Sequence, residues 1–220
     1  MPKLIRLENH AHTIYSKDSL TKLEDFIATC RKRGIDRVVI TDHNNIKGAL
    51  KAREMAPDLV IVGEEIMTRQ GEFLAAYVEE EIPKGLDKKE ALERLEAQGA
   101  FISVSHPFDE MRNGHWRRDD LIEVRTHVDA IEVFNARVMR RGYNEQAQAF
   151  AEEFELLGTV GSDAHTAREL GRAVQVLPEF EDADGLREAI RHARFETRLS
   201  SPLIHFTSRY AVWRKALSRG

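Results

Sequence analysis

Cysteine is almost absent from this chain: Cys30 is the only one among 220 residues. No intramolecular disulfide can form and no thiolate cage for zinc can be built, which excludes stapled and zinc-finger designs. Cys30 itself falls on the apolar stripe of an expected helix and reads as a small buried hydrophobe. Long apolar runs are missing too. No stretch approaches the roughly 20 residues needed to cross a bilayer. The start, Met1-Pro2-Lys3-Leu4-Ile5-Arg6, has neither the apolar core nor the small-residue cleavage site of a secretory signal. A reducing cytoplasm and no membrane contact are therefore expected. Charge of one sign is also scarce. Against 37 acidic residues stand 33 basic ones, a formal net charge of −4, so no broad basic field exists to hold long nucleic acid. Low-complexity segments, internal repeats and Pro/Gly/Ser-rich linkers are absent. The length suits one domain and is tight for two, giving residues 1–220 as a single domain with a core over 4–195 and a tail over 196–220.

What is present is an alternation of short apolar runs with longer amphipathic ones. Leu4–Leu7 reads as a strand and Leu20–Arg33 as a helix, with Leu23, Phe26, Ile27 and Cys30 on one stripe and Gly34 as its stop. Strands are expected over Arg37–Ile40, Leu59–Val62, Phe101–Val104, Ile131–Phe134, Thr159–Val160 and Ala173–Leu177, with Glu72–Val78 as an additional one. Helices are expected over Lys47–Met55, Lys88–Gln98, Asp119–His127, Tyr143–Leu156 and Ala183–Ala193. Repeated strand-then-helix units imply a parallel α/β sheet, open or closed.

The polar residues choose between those forms. Leu4–Leu7 is followed by Glu8-Asn9-His10-Ala11-His12, and Arg37–Ile40 by Thr41-Asp42-His43. Leu59–Val62 runs into Gly63-Glu64-Glu65, and Phe101–Val104 into Ser105-His106-Pro107. Ile131–Phe134 ends in Asn135, and the Val160 strand in Gly161-Ser162-Asp163-Ala164-His165. Sites of parallel α/β proteins gather at C-terminal strand ends, and closure into a barrel brings six such ends around one centre. His10 and His12 lie i, i+2 on extended backbone, so both imidazoles leave one face; Asp163 and His165 share the spacing. Imidazole and carboxylate without thiolate suits zinc, manganese or iron. Taken singly each residue has a plainer reading: His-x-His as surface or core decoration, Asp42 or Asp163 as a helix cap, His106-Pro107 as a strand-ending turn. Coincidence at six successive strand ends is far less credible.

The segment Glu8 to Ser19, with its acidic residue, His10-x-His12-Thr13 and downstream Ser16 and Asp18, resembles the first motif of the PHP (polymerase and histidinol phosphatase) superfamily. Thr41-Asp42-His43-Asn44, Gly63-Glu64-Glu65-Ile66, Ser105-His106-Pro107 and Gly161 to His165 resemble the later motifs, in order. The resemblance covers roughly residues 4 to 177. It implies a distorted (β/α)7 TIM-like barrel, single-domain, with two to three divalent ions at its C-terminal face. Carried over, His10, His12, Glu65 and Asp163 hold one ion, Glu65 bridges to a second bound by His106, and Asp18, His43 and His165 hold the third. Two positions depart from the pattern: Asn135 stands where a histidine is often found, leaving the second ion weakly or differently held, and Asp18 where some members have a histidine.

The expected reaction is hydrolysis of a small phosphate monoester, a nucleotide or phosphorylated metabolite, by a metal-activated hydroxide, since cations lower the pKa of water from 15.7 toward roughly 7. His10, His12, Glu65 and Asp163 are the catalytic set. Arg137, just past Asn135, and Arg168, just past His165, are candidates to fork onto a second phosphate or a carboxylate, or are merely solvated arginines. The loop from His106 to Asp120 carries Arg112, His115, Trp116, Arg117 and Arg118; it reads as a lid whose His115 and Arg117 meet substrate, and Trp116 either stacks a base or anchors the loop. Lys84 is a further candidate at the mouth; His127, His192 and His205 read as structural or exposed. Short oligonucleotides are an alternative substrate, and a non-catalytic metal-binding scaffold an alternative role. An amide-attacking hydrolase in a similar barrel finds no candidate for its usual carbamylated lysine. Oligomeric state is left open.

Overall fold

A computed structural model describes residues 2–217. Nine strands form one sheet in the order β7-β6-β5-β4-β3-β2-β1-β8-β9. In chain order they are β1 (Leu4–Ala11), β2 (Arg37–Ile40), β3 (Val60–Met67), β4 (Glu72–Ala76), β5 (Phe101–Val104), β6 (Ala130–Asn135), β7 (Gly158–Gly161), β8 (Ala173–Pro178) and β9 (Arg194–Thr197). The helices are α1 (Leu23–Lys32), α2 (Lys47–Met55), α3 (Lys88–Ala97), α4 (Arg118–Val124), α5 (Arg141–Glu153), α6 (Ala183–Ala189), continued by a 3-10 turn over Ile190–His192, and α7 (Ile204–Leu217). The sheet curls until its two flanks nearly meet. Ala11, at the end of β1, bridges in parallel to Ala164, just past β7, and His12 N donates to Ala164 O at 2.8 Å. The expected TIM-like α/β barrel is the fold observed.

The elements form for local reasons. In α1 the buried residues are Leu23, Phe26, Ile27 and Cys30, a 3.6-residue stripe that presses on the sheet. Gly34 (φ 63°) takes the left-handed position that a Cβ disfavours, and Ile35 N closes back onto Cys30 O at 3.0 Å, ending the helix. α3 starts on Asp87, whose carboxylate accepts from Lys89 N, a side-chain cap for an otherwise orphaned donor. All the strands but β9 bury almost every residue on both faces, as in Val38, Val39 and Ile40 of β2. This is the continuous apolar pattern of a sheet covered on both sides. At the barrel's other end α6 closes the base: the Arg187 guanidinium donates to the Gly99 and Ala100 carbonyls before β5, and Leu186 and Ile190 join Ile5, Leu7, Val39, Ile61 and Phe101 in one apolar cluster.

Three expectations need correction. The sheet is not wholly parallel: β4 runs antiparallel to both β3 and β5, and β8 antiparallel to β1 and β9. The reversal at β4 follows from chain length, because only Thr68–Gly71 separate it from β3; four residues close a hairpin, whereas a parallel return needs a dozen or more. Thr68 N donates to Gly71 O at 2.9 Å to make that turn. Second, β3 runs five residues beyond Val62, so Glu64 and Glu65 lie on the strand. Third, the boundary drawn at residue 195 falls inside an element: β9 spans Arg194–Thr197, and α7 follows in the tail. β9 is short, charged and exposed throughout; α7 buries only Ala211 and leaves Leu203, Phe206, Tyr210, Trp213 and Leu217 exposed at and along it, so neither carries a core-facing pattern. No helix among the described residues is long and apolar enough to cross a membrane.

Candidate metal centre

The strand ends deliver their side chains to one place. His10 and His12 leave β1 and its continuation, His43 follows β2, Glu65 lies on β3, His106 follows β5, Asn135 ends β6, and Asp163 and His165 follow β7. All but His43 are buried, and the His43 side chain is 16% exposed. Asp18 enters from the β1–α1 loop, which is tied down by Asp42. That carboxylate accepts from Thr13 N at 2.7 Å and from Ser16 Oγ at 2.6 Å, so Asp42 orders the loop rather than capping α2. Two of the site residues sit in left-handed backbone, His106 (φ 22°) and Asp163 (φ 50°). Such conformations persist only where surrounding contacts over-determine them.

The distances are those of donor atoms turned toward shared points. His10 Nε2 and His12 Nε2 lie 3.1 Å apart. Asp163 Oδ1 is 3.3 Å from His12 Nε2 and 3.7 Å from His10 Nε2; Glu65 Oε1 is 3.3 Å from His10 Nε2 and 3.0 Å from His106 Nε2. Asp18 Oδ2 stands 3.3 Å from His43 Nε2 and 3.2 Å from His165 Nε2. Three groups have ligand atoms within 4.8 Å of one another: His12, His43 and His165; His10, His12 and Asp163; His43, Glu65 and Glu72.

The outer ring of contacts says what these atoms are prepared for. His10 Nδ1 lies 2.9 Å from Glu132 Oε1, His165 Nδ1 2.9 Å from the Asp163 carbonyl, and His12 Nδ1 3.1 Å from Ser16 Oγ, whose own proton goes to Asp42. In neutral rings each Nδ1–H would donate outward and leave three Nε2 lone pairs pointing inward, the usual arrangement behind metal-bound histidine. Buried Glu65 Oε2 and Asp163 Oδ1 accept no well-formed hydrogen bond although imidazole nitrogens approach to 2.8 and 3.3 Å. Lone pairs facing lone pairs with orphaned carboxylate oxygens between them fit divalent cations and fit little else.

The electrostatics are tightly interdependent. Burial opposes charge on every group. Even so, Glu65, Asp163 and Glu132 raise His10 well above the usual imidazole range, and Glu65 and Asp18 do the same for His43. Burial together with neighbouring His165 and His43 drives His12 well below it. Against burial, His10 and His43 hold Glu65 low, and Arg112 and His10 hold Asp163 low. Glu72 goes the other way: burial and the Glu65 charge raise it.

The centre opens into a cavity of about 1370 Å³ lined by Asp18, His43, Glu72, Arg112, Arg137 and His165 among others, with Lys17, Lys84, Arg209 and Lys215 further out. The lysine at 84 is where the sequence suggested. Arg137 lines the cavity but is already engaged, donating to Asp163 O at 3.3 Å and Ser208 Oγ at 2.8 Å. His205, from the tail, joins the lining and meets Arg137 O at 3.1 Å, while His127 and His192 are exposed. Arg168, His115 and Arg117 are not brought to this cavity. Arg168 is exposed, and His115 and Arg117 line a separate surface depression. Trp116 is an anchor: it is 3% exposed, packs against Phe73 with the rings tilted by 57° and their centroids 4.8 Å apart and donates to Glu72 O at 3.0 Å.

Three residues at the centre escaped the sequence reading. Glu132 tethers His10 and accepts from His106 N at 2.8 Å; its one signal was a carboxylate in the middle of the apolar run Ile131–Phe134. Arg112, noted only as a loop cation, donates to Asp163 Oδ2 at 2.5 Å. Glu72 opens β4 and faces inward.

A family model described as the PHP domain matches residues 8–161. The chain belongs to the PHP family. A PHP-associated model matches 141–195. An uncharacterized protein of Methanocaldococcus jannaschii is 37% identical over 175 residues, covering 77% of this chain and 69% of the relative. Among solved structures, a two-domain protein from Bacteroides vulgatus, described as containing a predicted PHP-like metal-dependent phosphoesterase, superposes with a TM-score of 0.73 at 22% identity; the match covers 90% of this PHP chain and 66% of that one. PsfC from Pseudomonas syringae gives 0.71 at 18% identity, over 98% and 99%. At such identities these neighbours speak for the PHP fold. The family is one of metal-dependent hydrolases.

Proposed function

We propose that this PHP domain hydrolyses a small phosphate monoester, a nucleotide or phosphorylated metabolite, with two to three divalent cations of the zinc, manganese or iron kind. The observation that carries the reading is the inward convergence of three outward-tethered histidines upon Glu65, Asp163 and Asp18 at the floor of a cation-lined cavity. His10, His12, Glu65 and Asp163 would hold one ion, Glu65 and His106 a second, and Asp18, His43 and His165 a third. Cations bound there supply Lewis acidity, lowering the pKa of water toward about 7 and offsetting phosphate charge.

The chain's own residues do the rest. Glu132, Ser16 and the Asp163 carbonyl fix ring orientation and tautomer, so no reorganisation is needed as charge moves. Arg112 is the guanidinium best placed to meet a phosphate oxygen, because it lines the cavity and, with Nε held on Asp109 and one terminal nitrogen on Asp163, keeps its other terminal nitrogen for a ligand. Of the arginines expected to bind substrate, Arg137 fits as the group that braces the floor from behind. The cavity exceeds the roughly 300–1,000 Å³ of a typical small-ligand site, and its outer lysines and Arg209 favour, as a second reading, short oligonucleotides entering by one end.

The test is metal content by ICP-MS alongside phosphate release from p-nitrophenyl phosphate and a metabolite panel, with an exonuclease assay on short oligonucleotides as a parallel arm. Metal-replete protein that is silent on every phosphoester would overturn the reading. Turnover only on oligonucleotides would select the second one.

A further inference from the structure

The position that should complete the second ion's shell is taken out of play by its own hydrogen bonds. Asn135 Nδ2 donates to Glu132 Oε2 at 3.1 Å and to Asp163 Oδ2 at 3.2 Å, while Asn135 Oδ1 accepts from Arg137 N at 2.9 Å. Both ends of the amide are committed, and the oxygen, its only good ligand atom, is turned to the backbone. That leaves His106 and Glu65 as two ligands for an ion that needs more.

A third carboxylate sits where one is required. Glu72 is the first residue of β4 and pairs with Met67 in the antiparallel register that sets Leu74 opposite Glu65. Residues directly opposite on paired strands share a face, and alternate residues on each strand do too. Glu65, Met67, Glu72 and Leu74 thus face one way, toward the centre, while Glu64 faces the other and accepts from Ile82 N at 2.9 Å. Glu72 Oε2 is 3.5 Å from His106 Nε2, and the Glu72 carboxylate lies within 4.8 Å of ligand atoms on Glu65 and His43. The side chain is 7% exposed and His106 is its one ion-pair partner among the described residues. Burying a carboxylate beside another of like charge is costly unless a cation lies between them. The space above it is kept for this side chain: a Cβ added at Gly114 would collide with the Glu72 carboxylate.

We propose that Glu72 is a ligand of the second cation, completing with Glu65 and His106 the shell that Asn135 does not enter. This rests on the metallohydrolase reading above. It also assigns Asn135 a different task, holding Glu132 and Asp163 in place through its amide.

The experiment compares full-length wild type, Glu72→Gln, Asn135→Ala and the double variant Glu72→Gln/Asn135→His. Each is loaded with Mn²⁺ alone and read by ICP-MS after gel filtration and by calorimetric titration, with circular dichroism to confirm folding. Glu72→Gln is expected to lose one equivalent of metal, or to bind its weakest ion at least tenfold more weakly. Asn135→Ala should weaken the ion held by Asp163, whose support it removes, but still fill the second site through Glu72, and the double variant should regain the lost ion through an imidazole. Equal stoichiometry and equal affinity in wild type and Glu72→Gln would overturn the proposal while leaving the hydrolase reading intact. Wild type that binds no Mn²⁺, Zn²⁺ or Fe²⁺ would overturn the hydrolase reading itself. Should Glu72→Gln fail to fold, Glu72→Asp, which shortens the reach by a methylene, carries the same expectation of a weakened single ion, and its unchanged affinity would equally refute the assignment.

Discussion

The two poles of the centre are built to different standards. Around His10, His12 and His165 every imidazole has its outer nitrogen tied, to Glu132, to Ser16 and to the Asp163 carbonyl. Around His106 the outer nitrogen Nδ1 is buried without a partner, the backbone is twisted to φ 22°, and the neighbouring amide is occupied elsewhere. A ring whose far side is bonded has one orientation and one tautomer; a ring without that bond acquires both only when its ligand arrives. The first pole is prepared before loading, and the second is finished by it.

That contrast is easiest to break at the prepared pole. His10→Ala and Asp163→Asn should each cut phosphate release by on the order of 10³-fold, since they remove several kcal/mol of cation-dependent stabilisation; unchanged turnover in either folded variant would remove the first pole from the chemistry. Next, Glu132→Gln keeps the shape but weakens the hold on His10 and on His106 N, and should lower metal affinity about 10- to 100-fold, read by competition with a fluorescent chelator. If only the ion associated with His106 weakens, the tether is not what distinguishes the poles. Arg112→Lys should raise KM by roughly tenfold and leave metal content unchanged, because a point charge replaces a planar fork; a loss of metal instead would make Arg112 a support of Asp163 alone.

Chelation gives a smaller, global effect. Ions bound to the native state at about 100 times their Kd add about 2.7 kcal/mol, so dialysis against EDTA should lower Tm by several degrees, with a larger fall in wild type than in Glu132→Gln.

An effect confined to pH dependence belongs to the opposite face of β3. Burial pushes the Glu64 carboxyl up to about 8 from an ordinary 4.5. A carboxyl raised in the folded state favours folding most below pH 4.5, and that advantage is lost as pH climbs to about 8. The stability difference between Glu64→Gln and wild type, measured by denaturant unfolding, should therefore shift in favour of the variant from pH 5 to pH 8, by up to a few kcal/mol, and level off above. A pH-independent difference would mean that Glu64 titrates as an exposed side chain.

How far the sequence could be read follows from the direction of the strands. In parallel strands the functional end is the C-terminal one, so His12, His43, His106, Asn135 and Asp163 all stand where a search after each strand would look. β4 runs backwards, and its rim residue is its first, Glu72; the same search lands on Ala76, at the base. Glu132 was hidden differently, by lying two residues inside a strand whose apolar neighbours suggested nothing but core. Arg112 was visible as a loop cation, but its approach to Asp163 joins positions 51 apart, which no local pattern encodes. Arg168 and Arg137 had equal standing as residues just beyond a strand. Packing separates them, since Arg137 is 4% exposed and bonded into the floor, and Arg168 points to solvent. In the tail, an apolar stripe facing outward carries no core signal, so α7 could not be inferred from burial logic.

α7 bears on how the cavity is bordered. Ser208 braces Arg137, and the Lys215 ammonium grasps the carbonyls of Ile14 and Ser16 beside the cavity, yet every candidate ligand up to His165 precedes the first residue of α7, Ile204. The candidate ligands and the helix that borders their cavity are thus separate stretches of sequence. Removing α7 would therefore widen the entrance to the cavity while leaving every candidate ligand in the chain.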